Sequence, residues 1–264
     1  MGTLVDIALD EADDARAQAA FEAAFETVAL IHRLMSAHDA ASDVRRLSEA
    51  AHLRPMRVHA HTLAVLRLGV AMHGHSGGLF DIAVGALLAR AGHLPALVRP
   101  RSSAAGSSAD IDITPEGAVS FSRPLHLDFG GIAKGYAVEC AVAALRAQGI
   151  ASGLVNAGGD MRAFGPEAHP VQLRFAGGVR TVAALREGAL AASCNAAVAG
   201  EPPHVDPRAG RGVRSRWSVV VQAPSAAVAD ALTKVALICS ATAGRACAAL
   251  GAEWRAFEHD AVAH

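Results

Sequence analysis

Leu125-His126-Leu127-Asp128-Phe129-Gly130-Gly131-Ile132-Ala133-Lys134-Gly135-Tyr136-Ala137-Val138-Glu139 is the stretch around which the chain is organised. Leu125, Leu127 and Phe129 alternate with His126 and Asp128, a spacing that predicts a strand. A glycine pair follows. A helical pattern then runs to about Gln148, where Gly149 provides a C-terminal stop. A strand that feeds a glycine pair and then a helix leaves backbone N–H groups free at the helix N-terminus, which is an anion site. Asp128, Lys134 and the chain's only tyrosine, Tyr136, lie in the same stretch. Together they point to a phosphorylated cofactor. The glycines at 130, 131 and 135 match neither the Gly-Lys-Ser/Thr ending of a Walker loop nor G-x-G-x-x-G.

A second glycine pair lies downstream. Ser152 to Asn156 reads as an apolar strand ending in Ala157-Gly158-Gly159-Asp160, where Gly159 permits close approach of a backbone or ligand. Further on, Pro224-Ser225 starts a helix expected to run from Ala226 to Leu250. Its Asp230, Thr233 and Lys234 share one face by i,i+3 and i,i+4 spacing. Upstream, Thr3 to Leu9 reads as a strand. A long helix follows, with Phe21, Phe25, Val28, Ile31 and Met35 at helical spacing. Ser42-Asp43 caps a short helix, Val58 to Met72 forms another, and Ser76-Gly77-Gly78-Leu79-Phe80-Asp81 turns into a helix from Ile82 to Ala91. Asp110 to Ser122 forms a hairpin, Val171 to Leu190 holds two or more strands, and Ser218 to Gln222 and Glu253 to Glu258 are strands. Strands and helices mix without strict βαβ alternation. The expected fold class is therefore α+β: a single domain over residues 1–264 with mixed, largely antiparallel sheets packed with helices.

Composition excludes several classes. A net charge of −1 gives no general attraction to nucleic acid or anionic lipid. The apolar runs are too short for a membrane span, and the first residues show no secretory signal; the compartment stays open, cytoplasmic being the expectation for the sequence as given and periplasmic if a signal segment was removed. Cys140, Cys194, Cys239 and Cys247 are scattered, so neither zinc nor a disulfide framework is expected. Of 24 basic residues only Lys134 and Lys234 are lysines. Retaining lysine against that arginine background marks places that need a compact ammonium.

Ser36-Ala37-His38 with Ser42-Asp43, Gly77 to Asp81, Asp128 to Glu139, Asn156 to Asp160, His204-Val205-Asp206-Pro207-Arg208-Ala209-Gly210 and Ala229-Asp230-Ala231-Leu232 together resemble the ApbE-like family of FAD:protein FMN transferases. The resemblance begins at Met1-Gly2-Thr3 and covers essentially the whole chain. It implies that FAD is split at its pyrophosphate with a divalent metal, usually Mg²⁺, that FMN passes to a threonine of an acceptor redox protein, and that AMP leaves. The acceptor would be a redox-complex subunit. Some relatives hydrolyse FAD to FMN and AMP, which is the alternative activity. A flavin-binding homologue without catalysis is a further one.

Carried over by motif, the flavin-binding candidates are Met1, His38, Leu79, Phe80, Asp81, Asp128, Lys134 and Val205. The metal would be held by the Gly131 carbonyl and Asp230, with Thr233 nearby, and His204 is the candidate base. FAD would lie in a cleft around Asp128, Gly130-Gly131 and the last helix. The chain departs from the family pattern in four places. Lys234 stands where the family has a threonine. Pro203, not His204, occupies the family's histidine position. His38 replaces an aromatic, and Ala192-Ser193-Cys194 replaces Thr-Ser-Gly.

Overall fold

The structure, a computed structural model, describes residues 3–11, 13–97, 106–175, 178–194 and 202–258. In chain order the elements are β1 (Val5–Leu9), α1 (Asp14–Met35), α2 (Asp43–Ala50), α3 (Ala60–His75), α4 (Gly85–Arg90), β2 (Ile111–Ile113), β3 (Val119–Phe121), α5 (Ala133–Ala147), β4 (Gly153–Ala157) and β5 (Asp160–Phe164). There follow β6 (His169–Phe175), β7 (Gly178–Leu185), β8 (Gly188–Cys194), β9 (Val205–Asp206), β10 (Arg211–Gly212), β11 (Trp217–Ala223), α6 (Ala226–Ile238), α7 (Ser240–Ala249) and β12 (Glu253–Glu258). The fold is α+β, as the mixed pattern of the sequence predicts. The chain divides into two compact units, one of residues 1–30, 134–196 and 214–264, the other of 31–133 and 197–213.

The first unit is built on a six-stranded sheet in the order β1-β4-β5-β8-β11-β12, with every adjacent pair antiparallel. Period-two alternation separates its two faces. Val155, Ala157, Phe164 and Ala189 face one side and pack with Ala20, Ala24 and Val28 of α1 and with Val138, Ala141, Val142 and Leu145 of α5. Met161, Ala163, Leu190 and Val220 face the other, where Val171 and Leu185 of the β6–β7 hairpin cover them. Small residues on α1 and α5 let the helix backbones lie close to the sheet. The second glycine pair makes the β4–β5 hairpin. Ala157 pairs with Asp160, and Gly158 and Gly159 between them adopt φ of 62° and 96°. A two-residue turn of this hand needs positive φ at both centres.

In the second unit, Ser42 caps α2 by accepting from Arg45 N. Asp43 is buried, and its carboxylate accepts from His59 N and Thr62 Oγ1, both at 2.9 Å, and pairs with Arg46. One side chain therefore ties α2 to the start of α3. The β2–β3 hairpin forms as its spacing predicts, with Val119 bridged to Met56.

Three expectations are corrected. Residues 125–129 are extended and mostly buried but join no ladder. Their polar groups are met instead by a side chain and a loop: Leu127 N donates to Ser48 Oγ (3.0 Å), Asp128 N to the Ile82 carbonyl (2.8 Å), and the His126 carbonyl accepts from Gly85 N (2.9 Å). Alternation reports two-sided burial, which a lone extended segment satisfies as well as a strand. The helix expected from Ile82 begins at Gly85, because Asp81 Oδ1 accepts from Ala83 N (2.7 Å) and holds residues 82–84 in a turn. The last long helix is two helices, broken where Cys239 adopts an extended φ,ψ of −150°, 106°.

Candidate active site

Gly135 and Ala226 bring the first turns of α5 and α6 together. A Cβ on Gly135 would stand 2.2 Å from the Ala226 carbonyl oxygen, so only glycine allows this approach. Glu139, one turn further along α5, reinforces it by accepting from Ala226 N (2.6 Å) while pairing with Arg162 of β5. Ser225 caps α6 through Val228 N. Asp230 then lies one turn into α6, fully buried, and points at the start of α5. Its Oδ2 accepts from Gly135 N (3.3 Å) and pairs with Lys134 Nζ (3.3 Å). The anion at this helix N-terminus is thus the protein's own carboxylate, in keeping with the helix dipole.

Three further elements complete the cluster. The tight Gly158-Gly159 turn delivers Asp160, 1% exposed, whose Oδ2 lies 2.7 Å from Lys134 Nζ, at ion-pair distance but off hydrogen-bond alignment. α6 contributes Lys234, whose Nζ lies 2.6 Å from Asp230 Oδ1 and 3.0 Å from both Ser193 Oγ and Thr233 Oγ1. Ser193, from β8, shares a 2.8 Å hydrogen bond with Thr233 Oγ1, which itself donates to the Asp230 carbonyl (2.6 Å). Two aspartates and two lysines therefore sit in one buried group with balanced charge.

Electrostatics follow from that balance. Burial alone would raise Asp230, but the ammonium groups of Lys134 and Lys234 outweigh it and hold its carboxyl well below the usual carboxylate range. Burial and then the neighbouring Asp230 charge push Asp160 up to about 6, against the pull of Lys134. Burial would lower Lys134, yet Asp230 and Asp160 hold it above its ordinary value. Lys134 is a fixed cation, with 27% of its side chain still exposed.

Of the residues singled out in the sequence, Lys134, Asp230 and Thr233 come together here. Asp160 and Ser193 join them without having been assigned a role. Asp160 ends a quoted motif, but only the hairpin turn brings it to Lys134. Met1 lies outside the described residues. In the second unit, Asp128 and the 79–82 segment are joined through the bond from Asp128 N to Ile82. Leu79 and Phe80 are buried. The Asp81 carboxylate is occupied by Ser108 N and Oγ and Ala83 N, and His73 Nδ1 lies 3.3 Å away. The adjacent Asp81 carboxylate raises the His73 pKa against the effect of burial. Gly131 sits in the turn before α5. His38 is exposed in the turn before α2, and His204 and Val205 belong to the β9–β10 hairpin, where the His204 carbonyl accepts from Val213 N (2.8 Å).

The donor set fits a divalent cation poorly. Mg²⁺ needs about six oxygens at about 2.0–2.1 Å. Both Asp230 oxygens are already taken by ammonium groups and a backbone N–H, and Asp160 faces Lys134. Among the described residues, no group of three or more His, Cys, Asp or Glu side chains could hold a metal ion.

A match to the ApbE family covers residues 1–256. A curated relative from Rhodobacter capsulatus, FAD:protein FMN transferase, is 31% identical over 189 residues. That alignment takes in 63% of this chain and 36% of the relative, so the chain spans about a third of the relative's length. Among solved structures, the flavin transferase ApbE from Vibrio cholerae aligns with a TM-score of 0.77 at 22% identity, over 99% of this chain and 95% of that one. The ApbE protein of Thermotoga maritima gives 0.80 at 22%, over 98% and 96%. The apo flavinyl transferase ApbE of Pseudomonas stutzeri gives 0.81 at 18%, over 98% and 91%.

Proposed function

The chain belongs to the ApbE family, and from that membership we propose that it transfers FMN from FAD to a threonine hydroxyl of an acceptor protein, with release of AMP. The threonine oxygen attacks the FMN phosphorus, a new phosphoester bond forms, and the pyrophosphate bridge breaks. The hydroxyl proton passes to a base, and AMP leaves carrying the bridging oxygen. Such a reaction depends on positioning and on neutralising phosphate charge.

The observation that carries this reading is the Lys134 ammonium at the first turn of α5, fixed by Asp160 and Asp230. In this reading Lys134 supplies a permanent positive charge to the pyrophosphate. Met1, His38, Leu79, Phe80, Asp81, Asp128 and Val205 bind flavin, with Asp81 also pinning its own loop. His204 accepts the threonine proton, since an imidazole near neutrality suits that step. The metal position that the family implies falls on Gly131, Asp230 and Thr233. No step is routed through Mg²⁺ because both Asp230 carboxylate oxygens are already engaged.

One observation favours a second reading: Lys234 Nζ lies 2.6 Å from Asp230 Oδ1. On this reading the ammonium closes the cation position, and the chain binds FAD without cleaving it. A single assay separates the outcomes. The protein is incubated with FAD, with and without a threonine-bearing acceptor. A mass gain of one FMN on the acceptor supports transfer, free FMN plus AMP means hydrolysis, and intact bound FAD means a binder. His204→Ala with undiminished transfer removes His204 from the base role.

A further inference from the structure

Both of the chain's lysines end on one carboxylate. Lys134 reaches Asp230 from the start of α5, and Lys234 from the next turn of Asp230's own helix. An arginine-rich sequence has kept its only ammonium groups for this place, where a planar guanidinium could not sit so compactly. The surroundings of Lys234 are those of a bound cation. An ammonium has three N–H donors, and three oxygens receive them: Asp230 Oδ1 at 2.6 Å, Ser193 Oγ at 3.0 Å and Thr233 Oγ1 at 3.0 Å. Only 16% of its side chain is exposed. The charges of Asp160 and Asp230 are already matched by the two lysines. A divalent ion added to this group would bring two uncompensated positive charges into a buried site, and would have to displace Lys234 from Oδ1, or Lys134 and the Gly135 N–H from Oδ2, to reach an Asp230 oxygen.

Resting on the transferase reading above, we propose that the Lys234 ammonium takes the place of the divalent cation, so that the positive charge facing the FAD pyrophosphate is supplied by two lysines and no magnesium. The helix that would carry half of a metal site carries the charge itself, covalently attached. Thr233 and Ser193 hold that ammonium in position through their hydroxyls.

Isothermal calorimetry with MgCl₂ alone tests the cation site on the native chain, on Lys234→Thr, which restores an oxygen and removes the charge, and on Lys234→Met, which removes the charge without adding a ligand. The expected result is no saturable binding by the native chain or Lys234→Met, and binding by Lys234→Thr at least about tenfold tighter than by the native chain. Native binding as tight as that of Lys234→Thr overturns the proposal. Should Lys234→Thr fail to fold, the native chain still decides. Its melting temperature and its conversion of FAD are expected to be the same in EDTA and in MgCl₂, and a tenfold fall in conversion with EDTA, or a rise in melting temperature with MgCl₂, overturns the proposal. Calorimetry reads the cation site whether or not FAD is turned over. Failure of the transferase reading is seen separately, as the absence of both FMN transfer and AMP under every condition.

Discussion

Lys234 Nζ and Asp230 Oδ1 lie 2.6 Å apart on successive turns of α6, and Asp230 is fully buried while Lys134 approaches its other oxygen at 3.3 Å. Removing the negative charge leaves two ammonium groups facing one remaining carboxylate, Asp160. Asp230→Asn is expected to destabilise the fold by about 3 kcal/mol, the scale for stranding a buried charge. Urea unfolding measures it. A loss below about 0.5 kcal/mol, the size of an ordinary surface substitution, contradicts this account.

Gly135 marks where α5 meets α6. In Gly135→Ala the new methyl collides with the Ala226 carbonyl, a backbone atom that cannot rotate away. A destabilisation of about 1–3 kcal/mol follows from overpacking, even though alanine is the better helix former. Thermal unfolding of Gly135→Ala beside an exposed control, Gly244→Ala, isolates the clash, since nothing lies within 4 Å of a Cβ at Gly244.

Ser48 satisfies a buried backbone donor. Its Oγ donates to the Val44 carbonyl (2.8 Å) and accepts from Leu127 N (3.0 Å). Ser48→Ala leaves the Leu127 N–H without its acceptor, at a cost of about 1–3 kcal/mol. Hydrogen exchange at Leu127 is expected to speed up in the variant, in line with the lost protection.

His126 makes stability depend on pH. Burial, and then the nearby Arg45 charge, push it from the ordinary value of 6.5 down to about 4. Between those values the unfolded chain binds a proton that the folded chain does not, so stability rises with pH across the window. The contribution is complete above pH 6.5 and is lost as pH falls towards 4. Its size is on the order of 2 kcal/mol after allowing for solvent screening. Urea unfolding of the native chain and His126→Gln at about pH 7.5 and about pH 4.5 reads the difference: the native chain loses that much more than the variant.

Local patterns carried much of this arrangement. The i,i+4 spacing of Asp230 and Lys234, and the scarcity of lysine, pointed to one charged face before any tertiary contact was visible. The glycine pair at 158–159 was legible because a tight turn demands positive φ. Ser193 was visible only as part of a departure from a family motif, and its meeting with Lys234 depends on how β8 lies beside α6. Residues 125–129 looked like a strand because alternation measures burial on two sides, whereas ladder membership depends on partners distant in sequence. The break at Cys239 carried no glycine or proline to announce it. The two-residue strands β9 and β10 are too short for any periodicity.

The extended backbone at Cys239 resets the rotational phase of the chain between α6 and α7. A helix continuous to Leu250 would transmit any inserted residue as a turn of about 100° along its axis. With the joint in place, insertions and deletions in α7 leave the direction of Asp230 and Lys234 untouched. The rotational setting of the charged face of α6 is thereby independent of the helix that follows it.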